Sequence, residues 1–434
     1  MRRVLMIAYH FPPMAGSSGI QRTLRFVQQL PRFNWQPLVL SAQPHAYERT
    51  SDDLESQVPV GTVVRRAFAL DTARHLAIGD RYAGFMARPD RWMSWRFDAV
   101  RQGLRMIREF GPEVIWSTYP IATAHLIGAA LHRRSGLPWI ADFRDPMAQE
   151  GYPADPVTHR QFLDIEHEAT QRASCCIFTT PGAAQMYRQR YPGAADRIAV
   201  LENGYDEESF AAIEPADAAP LNPGVLTLLH SGIVYPSERD PAPLFEALGR
   251  LARQGLIGPE HLRVRFRAAV HDELLQGLAR QHGIERIVET CPPVGYREAL
   301  QEMLRADALL VMQGSGCNEQ IPAKIYEYLR ARRPILCLSD PAGDTAGVLR
   351  RAAIVNVARL DSVAEIEALI PSFLSAVRDG VAPLPDAAFV RGASRLARAQ
   401  ALAHVLDALP QQSGRRSAEA AASVSSPAPD SGAP

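Results

Sequence analysis

Cysteine is scarce in this chain, and the placement of the few cysteines excludes two common roles. There are five cysteines in 434 residues, without a CxxC pair and without a Cys/His spacing typical of zinc ligands. The sequence therefore suggests neither a zinc site nor a disulfide framework. Such usage is typical of a reducing cytoplasm, where we expect the protein to reside.

The chain also has no net charge and no long apolar run. The formal net charge is zero, which argues against generic nucleic-acid binding, because that activity usually shows as a basic excess. The best apolar run, residues 126–131, is far too short to cross a membrane. Near the N-terminus, the run at residues 4–8 stops at Phe11-Pro12-Pro13, which is too early for a signal peptide.

Lysine is the rarest charged residue. Of the 47 lysines and arginines, 46 are arginine and one is lysine, Lys324. It lies between Glu319 and Glu327, which are eight positions apart. An ammonium is a compact point charge and a guanidinium is a planar fork, so a tight anionic site distinguishes the two. A single lysine must also fall somewhere by chance, so the position is a hint of function that its neighbours have to support.

Short apolar runs alternate with amphipathic stretches in both halves, and this rhythm predicts parallel α/β sheets wrapped by helices. We expect strands at residues 4–8, 37–40, 114–116, 139–141, 176–179, 198–201, 225–229, 264–266, 308–311 and 335–338. Helices are expected at residues 20–30, 243–253, 298–305 and 322–331.

Composition divides the chain into parts. We expect an N-terminal domain at residues 1–210, an Ala- and Pro-rich linker at 211–224 and a C-terminal domain at 225–390. A C-terminal helix at 391–410 that packs back on the first domain and a disordered tail at 411–434 complete the prediction. Ligands of open parallel sheets bind beyond the carboxyl ends of the strands, so the cleft between two such domains is the default site.

Two segments of the first domain follow predicted strands. The first is Gly16-Ser17-Ser18-Gly19, whose small residues let a ligand approach the backbone and whose amides at a helix start favour an anion. It is neither a GxGxxG fingerprint nor a P-loop, which argues against a nicotinamide dehydrogenase or a P-loop ATPase. The alternative is a turn that only needs glycine.

The second segment is Trp139-Ile-Ala-Asp142-Phe-Arg144-Asp145-Pro146. At a strand's carboxyl end, Asp142 and Arg144 are expected to point into the cleft. The alternative is an Asp–Arg pair that only fixes the loop.

The second domain offers a glycine turn and the Lys324 segment. An arginine, Arg239, follows Gly232 by seven positions and suits a diphosphate. If Pro322 occupies the first turn of a helix, Lys324 and Glu327 share one face near its positive dipole end. The ammonium would bind phosphate oxygens and the carboxylate ribose hydroxyls, each charged hydrogen bond being worth roughly 1.5–3 kcal/mol. The alternative is a surface ion pair worth under about 0.5 kcal/mol.

Together these four segments resemble the family 4 retaining glycosyltransferases, over about residues 1–409. The resemblance implies the GT-B architecture: two facing Rossmann-like domains with parallel sheets and an interdomain cleft. Its most specific element is Glu319-x7-Glu327, followed by Tyr328-Leu and Arg333-Pro-Ile-Leu, where the family has an EX7E motif ahead of a strand.

The resemblance also implies roles for particular residues. Glu319 would approach the donor sugar, Glu327 the ribose, and Arg239 the donor diphosphate. By analogy of position, the base would be contacted by the loop at residues 291–296, which includes Val294. The loop from Gly16 to Gly19 matches the one that faces donor and acceptor, and Asn203-Gly204 resembles the segment that closes the first domain.

Two departures from the family pattern concern the other predicted site residues. Many members have a His-Asp pair where this chain has Asp142-Phe-Arg144-Asp145, and a second basic residue where it has Ile233. A subset of bacterial surface-polysaccharide members shares the DFRDP and PxKxxEYL forms, so we interpret both departures as subfamily character.

The resemblance implies a sugar transfer with retained anomeric configuration and no metal, and the lack of an Asp-x-Asp motif agrees. The acceptor hydroxyl would attack from the face that the diphosphate leaves, while Arg239, Lys324 and helix amides stabilise the leaving charge. The donor would be a UDP-, GDP-, ADP- or TDP-sugar and the acceptor a saccharide or a lipid-linked molecule. No cofactor is expected. The alternatives are a sugar-nucleotide epimerase and a non-catalytic sugar-nucleotide-binding protein.

Acceptor recognition should fall to the first domain, where residues 81–97 mix arginines with aromatic residues. In the helix that follows, Phe97, Val100, Leu104 and Ile107 share one predicted face, and Arg101, Arg105 and Arg108 share another. This pattern suits peripheral contact with an anionic bilayer at the inner face of the cell membrane, or a lipid-diphosphate acceptor. The alternative is an apolar core face opposite solvated arginines.

Overall fold

The computed structural model describes residues 1–17, 19–79, 81–213 and 219–409. The predicted disordered tail at 411–434 and part of the predicted linker lie outside these residues. The described chain divides into two compact units. The first unit contains Met1–Phe143, Met147–Cys176 and the described residues from Leu402, and the second contains Arg144–Pro146 and the described residues of Ile177–Ala401. The domain boundaries stated above stay a prediction.

Thirteen strands lie in the described residues and form two sheets. They are β1 Arg2–Ile7, β2 Trp35–Ala42, β3 Val63–Ala67, β4 Val114–Thr118, β5 Trp139–Arg144, β6 Cys175–Phe178, β7 Ile198–Val200, β8 Leu226–Ser231, β9 Leu262–Arg267, β10 Val288–Cys291, β11 Ala308–Gln313, β12 Ile335–Ser339 and β13 Val357–Ala358. The seven-stranded sheet has the order β3-β2-β1-β4-β5-β6-β7, and the six-stranded sheet β10-β9-β8-β11-β12-β13.

Helices connect the strands. They are α1 Gly19–Gln29, α2 Asp52–Glu55, α3 Thr72–His75, α4 Trp95–Phe110, α5 Ala122–Ser135, α6 Pro156–Arg172, α7 Pro181–Arg190, α8 Glu207–Ala211, α9 Ala242–Arg253, α10 Asp272–His282, α11 Tyr296–Arg305, α12 Lys324–Ala331, α13 Asp344–Arg351, α14 Val363–Arg378, α15 Ala387–Gly392 and α16 Arg395–Ala408. Short 3₁₀ turns occur at Leu30–Phe33, Pro44–Ala46, Gly84–Ala87, Pro192–Arg197 and Ser315–Cys317. No helix of the described residues is long and apolar enough to span a bilayer.

The pairing is parallel wherever its register is known, as the alternating rhythm predicts. Val4 of β1 faces Pro37 of β2 on one side and Val114 of β4 on the other, and β8 lies between β9 and β11 in the same direction. The apolar runs of β1, β4, β11 and β12 are buried almost throughout, as expected for parallel strands covered on both faces. The prediction of two parallel-sheet α/β domains is confirmed.

Strand β9 was predicted at residues 264–266, and its polar positions show why similar strands without an apolar run were harder to predict. Its residues Leu262–Arg267 alternate between buried and half-buried positions. The half-buried arginines Arg265 and Arg267 pair with Glu302 of α11 at 3.1 Å and 2.7 Å. Pairing satisfies charges that could not otherwise lie against a sheet. The same kind of polar strand, without a continuous apolar run, explains why β3 and β10 were not predicted.

Large aromatic side chains fill the core of the first unit. Trp35, Trp95, Trp116 and Trp139 are all fully buried, and burying such a side chain is worth roughly 1.5–3 kcal/mol or more. In the second unit, two apolar clusters cover the faces of the six-stranded sheet, one including Phe245 and the other Tyr326. These cores hold the carboxyl ends of the strands, and the residues that follow them, in fixed positions.

Candidate functional site

A glycine turn follows β8 in the second unit, as the sequence predicts. Gly232 has φ +106°, a conformation that side-chain-bearing residues rarely adopt. Its amide donates to the carbonyl of Arg267 at 2.8 Å, and the preceding amide, of Ser231, donates to the Tyr328 hydroxyl at 2.8 Å. A Cβ atom at Gly232 would lie 3.3 Å from Lys324 Nζ. The turn and the lysine are therefore directly apposed.

Lys324 reaches this turn from the start of α12. Its Nζ lies 3.0 Å from Nε2 of His230, the buried residue two positions before Gly232. Burial, and after it the charge of Arg239, lowers the pKa of Lys324 to about 7, while Glu327 opposes the shift. A cation that is held partly desolvated and beside another cation favours an anion at this place.

Arg239 supplies the second cation. Its guanidinium donates to the Ile233 carbonyl at 3.2 Å, lies 3.5 Å from the carboxylate of Glu238, and sits over the ring of Tyr235. Its Nε is buried without a hydrogen-bond partner. Two cations and a glycine backbone thus converge at the carboxyl end of β8, so the structure brings together three of the predicted site residues, Gly232, Arg239 and Lys324.

Glu327 lies one turn after Lys324 and has a different partner. It accepts a hydrogen bond from the Tyr296 hydroxyl at 2.9 Å. Burial raises the pKa of its carboxyl, although the Tyr296 bond and the charges of Arg395 and Lys324 oppose the shift. The side chain is half-buried. The alternative of a surface Lys324–Glu327 ion pair is not what the structure contains, because the two side chains have separate partners, His230 and Tyr296.

The helix start differs from the prediction in one detail. We expected Pro322 in the first helical turn, but α12 begins at Lys324 with Ala323 as its N-cap. Pro322 lies before the helix, and its carbonyl accepts the amide of Ile325 at 3.0 Å. The helix therefore begins two residues later than predicted, and Pro322 lies in the turn that leads into it. Lys324 consequently occupies the first helical position.

Glu319 lies in the loop between β11 and α12. Its side chain is half-buried. Its backbone carbonyl accepts from Thr180 Oγ1 at 2.6 Å, and a Cβ at Gly182 would lie 3.1 Å from its Cα and Cγ. Val294 is half-buried in the loop between β10 and α11, two positions before Tyr296. The functional roles given to these two residues stay predictions.

In the first unit, the loop after β1 leads into α1. Gly16 has φ +85°, and the amide of Gly19 donates to Ser17 Oγ at 3.2 Å. Ser17 Oγ also lies 3.0 Å from Nδ1 of His10. Ser18, a predicted site residue, lies outside the described residues. A ligand-binding role for this loop stays a prediction.

Asp142 is wholly buried within β5, two residues before the strand ends. Arg22 of α1 binds both of its carboxylate oxygens, at 3.0 Å and 2.8 Å, and Thr118 donates a third hydrogen bond at 2.9 Å. We expected this carboxylate to be exposed to a ligand. Instead, a bidentate ion pair inside the first unit satisfies its hydrogen bonds. The geometry favours the alternative of a fixing Asp–Arg pair, with Arg22 as the partner.

The other two charged residues of this segment, Arg144 and Asp145, are half-buried rather than exposed. Arg144 has φ +64°, and its carbonyl accepts from the amide and hydroxyl of Thr179 at 2.8 Å and 2.9 Å. Asp145 is also half-buried. Catalytic or binding roles for Asp142, Arg144 and Asp145 stay predictions.

Helix α4 departs from the faces that we expected. Val100 is buried and Leu104 and Ile107 are half-buried, but Phe97 is 74% exposed. Phe97 therefore shares the exposed side with the three arginines, at the helical spacing of Phe97, Arg101, Arg105 and Arg108. The outcome is an apolar core face and an exposed face that combines arginine with phenylalanine.

Sequence reasoning missed three partners of the site. In the sequence, His230 is only a histidine two positions before a glycine, and Tyr296 only the end of a loop. Arg22 is only an arginine in an amphipathic helix. Each pairs with a residue between 31 and 120 positions away. Strand alternation could have placed His230 on the same side of β8 as Gly232, but not opposite Lys324.

Within residues 1–17, 19–79, 81–213 and 219–409, no group of three or more histidine, cysteine, aspartate or glutamate side chains is arranged to hold a metal ion.

The N-terminal part of the chain is similar to a known family of domains. Residues 18–204 match the model of a glycosyl transferase 4-like domain. No curated protein matches the sequence.

Solved structures resemble the whole described fold. HepE from Anabaena in complex with UDP is 15% identical, aligns over 94% of this chain and 100% of that chain, and has a TM-score of 0.65. Its complex with UDP-glucose has the same identity and coverage and a TM-score of 0.63. A glycosyltransferase from Rickettsia africae is 10% identical over 93% of this chain and 97% of that chain, with a TM-score of 0.61. At these identities the likeness establishes the fold, which is of the GT-B glycosyltransferase type.

One similar structure belongs to another enzyme class. A Listeria monocytogenes protein described as a UDP-N-acetylglucosamine 2-epimerase is 11% identical over 92% of this chain and 94% of that chain, with a TM-score of 0.53. The same fold therefore accompanies both descriptions, and the choice between them depends on chemistry at the site.

Proposed function

We propose that this protein is a glycosyltransferase that moves a sugar from a nucleotide-sugar donor to a saccharide or lipid-linked acceptor, with retention of anomeric configuration. The supporting observation is the convergence of Lys324 and Arg239 on the Gly232 turn, beside the half-buried Glu327. Two cations above a glycine backbone suit a diphosphate, and a carboxylate one helical turn away suits the hydroxyls of a ribose.

In this reaction, these residues stabilise the leaving group. Lys324 and Arg239 neutralise the charge that develops on the diphosphate as the bond to the sugar breaks. Glu319 is the residue we assign to the donor sugar. The acceptor hydroxyl attacks from the face that the diphosphate leaves, and a phosphate oxygen takes its proton. We expect no metal to be required, because the two cations take the place of a divalent ion.

The first donors to test are UDP-sugars. HepE, which is similar to this chain over its whole length, has been solved with UDP and with UDP-glucose. The loop that includes Val294 is the segment we assign to the base. GDP-, ADP- and TDP-sugars are the comparison set.

We place the acceptor with the first unit, and the reaction in cell-surface polysaccharide synthesis. The exposed face of α4, formed by Phe97, Arg101, Arg105 and Arg108, supports contact with an anionic lipid surface. The protein would then act in the cytoplasm, at the inner face of the cell membrane.

A radiolabelled nucleotide-sugar panel, supplied with lipid and saccharide acceptors, tests the proposal. Label transferred to an acceptor with the donor's configuration supports it. Isomerised free sugar nucleotide would instead identify an epimerase, and binding without either product would identify a non-catalytic binding protein. The Lys324→Met variant should lose transfer, whereas Glu285→Ala, at an exposed glutamate of the second unit, should retain it.

A further inference from the structure

The partner that the structure gives to Lys324 is unusual for a lysine with little exposure. Such ammonium groups are commonly paired with a carboxylate, which cancels the charge. Here the partner is the imidazole of His230, with Lys324 Nζ 3.0 Å from Nε2. Glu327, the nearest acidic residue in the helix, bonds to Tyr296 instead.

The tautomer of His230 follows from its second contact. Nδ1 lies 3.0 Å from the carbonyl oxygen of Leu310, on the neighbouring strand β11. A carbonyl only accepts, so Nδ1 carries the proton and Nε2 presents its lone pair to the ammonium. Burial, followed by the charge of Lys324, keeps the pKa of His230 well below its ordinary value. The imidazole therefore stays neutral, and its acceptor remains available across the working pH range.

We propose that His230 is a positioning residue of the donor site, which holds the Lys324 ammonium over the Gly232 turn without neutralising it. A neutral acceptor takes one N–H of the ammonium and leaves the other two, with the full charge, for phosphate oxygens. A carboxylate in the same place would fix the side chain equally well but would compete with the phosphates for the charge. This inference rests on the proposed function, because it assigns a diphosphate to the site.

Several charged and titratable groups face Lys324 and its neighbours. Arg239 repels the ammonium and Glu327 attracts it. Glu327 in turn is influenced by Tyr296, Arg395 and Asp206. In the described part of the chain none of these groups bonds to Lys324 Nζ, and the hydrogen bond to His230 holds the ammonium in position.

The experiment measures the dissociation constants of UDP, GDP, ADP and TDP by calorimetry from pH 7 to 9. The proteins are the wild type, His230→Leu, His230→Gln, Lys324→Met and the His230→Leu/Lys324→Met double variant. Leucine removes the acceptor at similar volume, and glutamine places an amide oxygen near the position of Nε2. We expect His230→Leu to weaken the tightest nucleotide about tenfold at pH 7 and to move the loss of affinity to lower pH. His230→Gln should restore most of the affinity.

The double variant separates positioning from a general structural effect. If His230 acts through Lys324, then His230→Leu should change the affinity little once Lys324 is methionine. Two outcomes would overturn the inference although the wild type still bound nucleotide. One is that His230→Leu causes the same loss of affinity with Lys324 as with methionine at position 324. The other is that His230→Leu changes neither the affinity nor its pH profile. Absence of binding to all four nucleotides by the wild type would overturn the proposed function itself.

Discussion

At the scale of single residues, Lys324 combines two properties that can be tested separately, its charge and its shape. Its pKa of about 7 means that the free protein loses this charge as the pH rises above neutrality. In the unfolded chain the same lysine keeps its proton to about pH 10.4. Its contribution to the free energy of unfolding therefore rises with pH between these two values, whereas its contribution to anion binding falls.

Lys324→Arg should abolish that pH dependence and still impair the reaction. We expect wild-type affinity for the nucleoside diphosphate to fall by about tenfold per pH unit above pH 7, until the pKa of the complex is reached. Arginine stays charged throughout, so its affinity should be flat over pH 7 to 9. Its planar fork does not fit the place of a point charge beside Gly232, so kcat should fall by about tenfold or more. Calorimetry and initial rates measure the two effects. A fully active arginine variant would show that the reaction does not need lysine at position 324.

Glu327 provides the second prediction at this scale. Replacing it with alanine removes the carboxylate that we assign to the ribose, and one charged hydrogen bond is worth roughly 1.5–3 kcal/mol. The nucleotide dissociation constant should therefore rise by about 10- to 100-fold, measured by calorimetry at pH 7. Glu285→Ala, at an exposed glutamate of the same unit, is the control and should bind as the wild type does. Unchanged affinity in Glu327→Ala would remove the ribose role.

Much of the site could be predicted from local sequence, and the rest depends on contacts between distant positions. Gly232, Arg239 and Lys324 stand out because glycine, arginine and a lone lysine are informative on their own. His230 and Tyr296 became visible only through their partners in the fold. Asp142 shows the opposite failure, since a charged residue at a strand end suggested a ligand site and the fold supplied Arg22 instead.

At the scale of elements, the turn between β8 and α9 allows a matched test of backbone conformation and ligand contact. Gly232→Ala forces a Cβ onto a residue at φ +106° and to 3.3 Å from Lys324 Nζ. Gly283→Ala also places alanine at a positive φ, +70°, but its Cβ meets nothing within 4 Å. Both variants should lose about 1–2 kcal/mol of stability, measured by denaturant unfolding. Only Gly232→Ala should also weaken nucleotide binding, and equal affinity in both would show that the turn does not contact the diphosphate.

Helix α4 carries the prediction about membranes. Changing Arg101, Arg105 and Arg108 to glutamate should reduce binding to phosphatidylserine vesicles by at least about tenfold, since each basic residue near an anionic surface contributes about 1 kcal/mol. The same charge change at exposed arginines of the second unit, Arg253, Arg280 and Arg286, should have little effect. Sedimentation with vesicles at low and high salt measures both. Equal binding by the two triple variants would remove the membrane contact.

Elements with continuous apolar runs were the easiest to predict, and several polar or very short ones were missed. Strands β1, β4, β11 and β12 match their predicted positions to within a few residues, because their apolar side chains are buried on both faces. Strands β3 and β10 contain charged residues, and β13 is only two residues long. Their pairing comes from neighbouring strands in the sheet rather than from local preference.

For the whole molecule, the separate cores of the two units predict a specific response to ligand. A nucleotide that binds only the folded second unit at 100 times its dissociation constant adds about 2.7 kcal/mol to that unit's stability, which raises its melting temperature by about 5–10 °C. Calorimetric scans with UDP, GDP, ADP and TDP should therefore move the transition of one unit and leave the other in place.

The shift should be the same with EDTA as with Mg²⁺, because two side-chain cations rather than a metal face the diphosphate. At the same nucleotide concentration, the Glu327→Ala variant should lose at least about half of the shift while Glu285→Ala keeps it. A shift that requires Mg²⁺ would overturn metal independence, and a shift of both transitions together would show that the two units unfold as one.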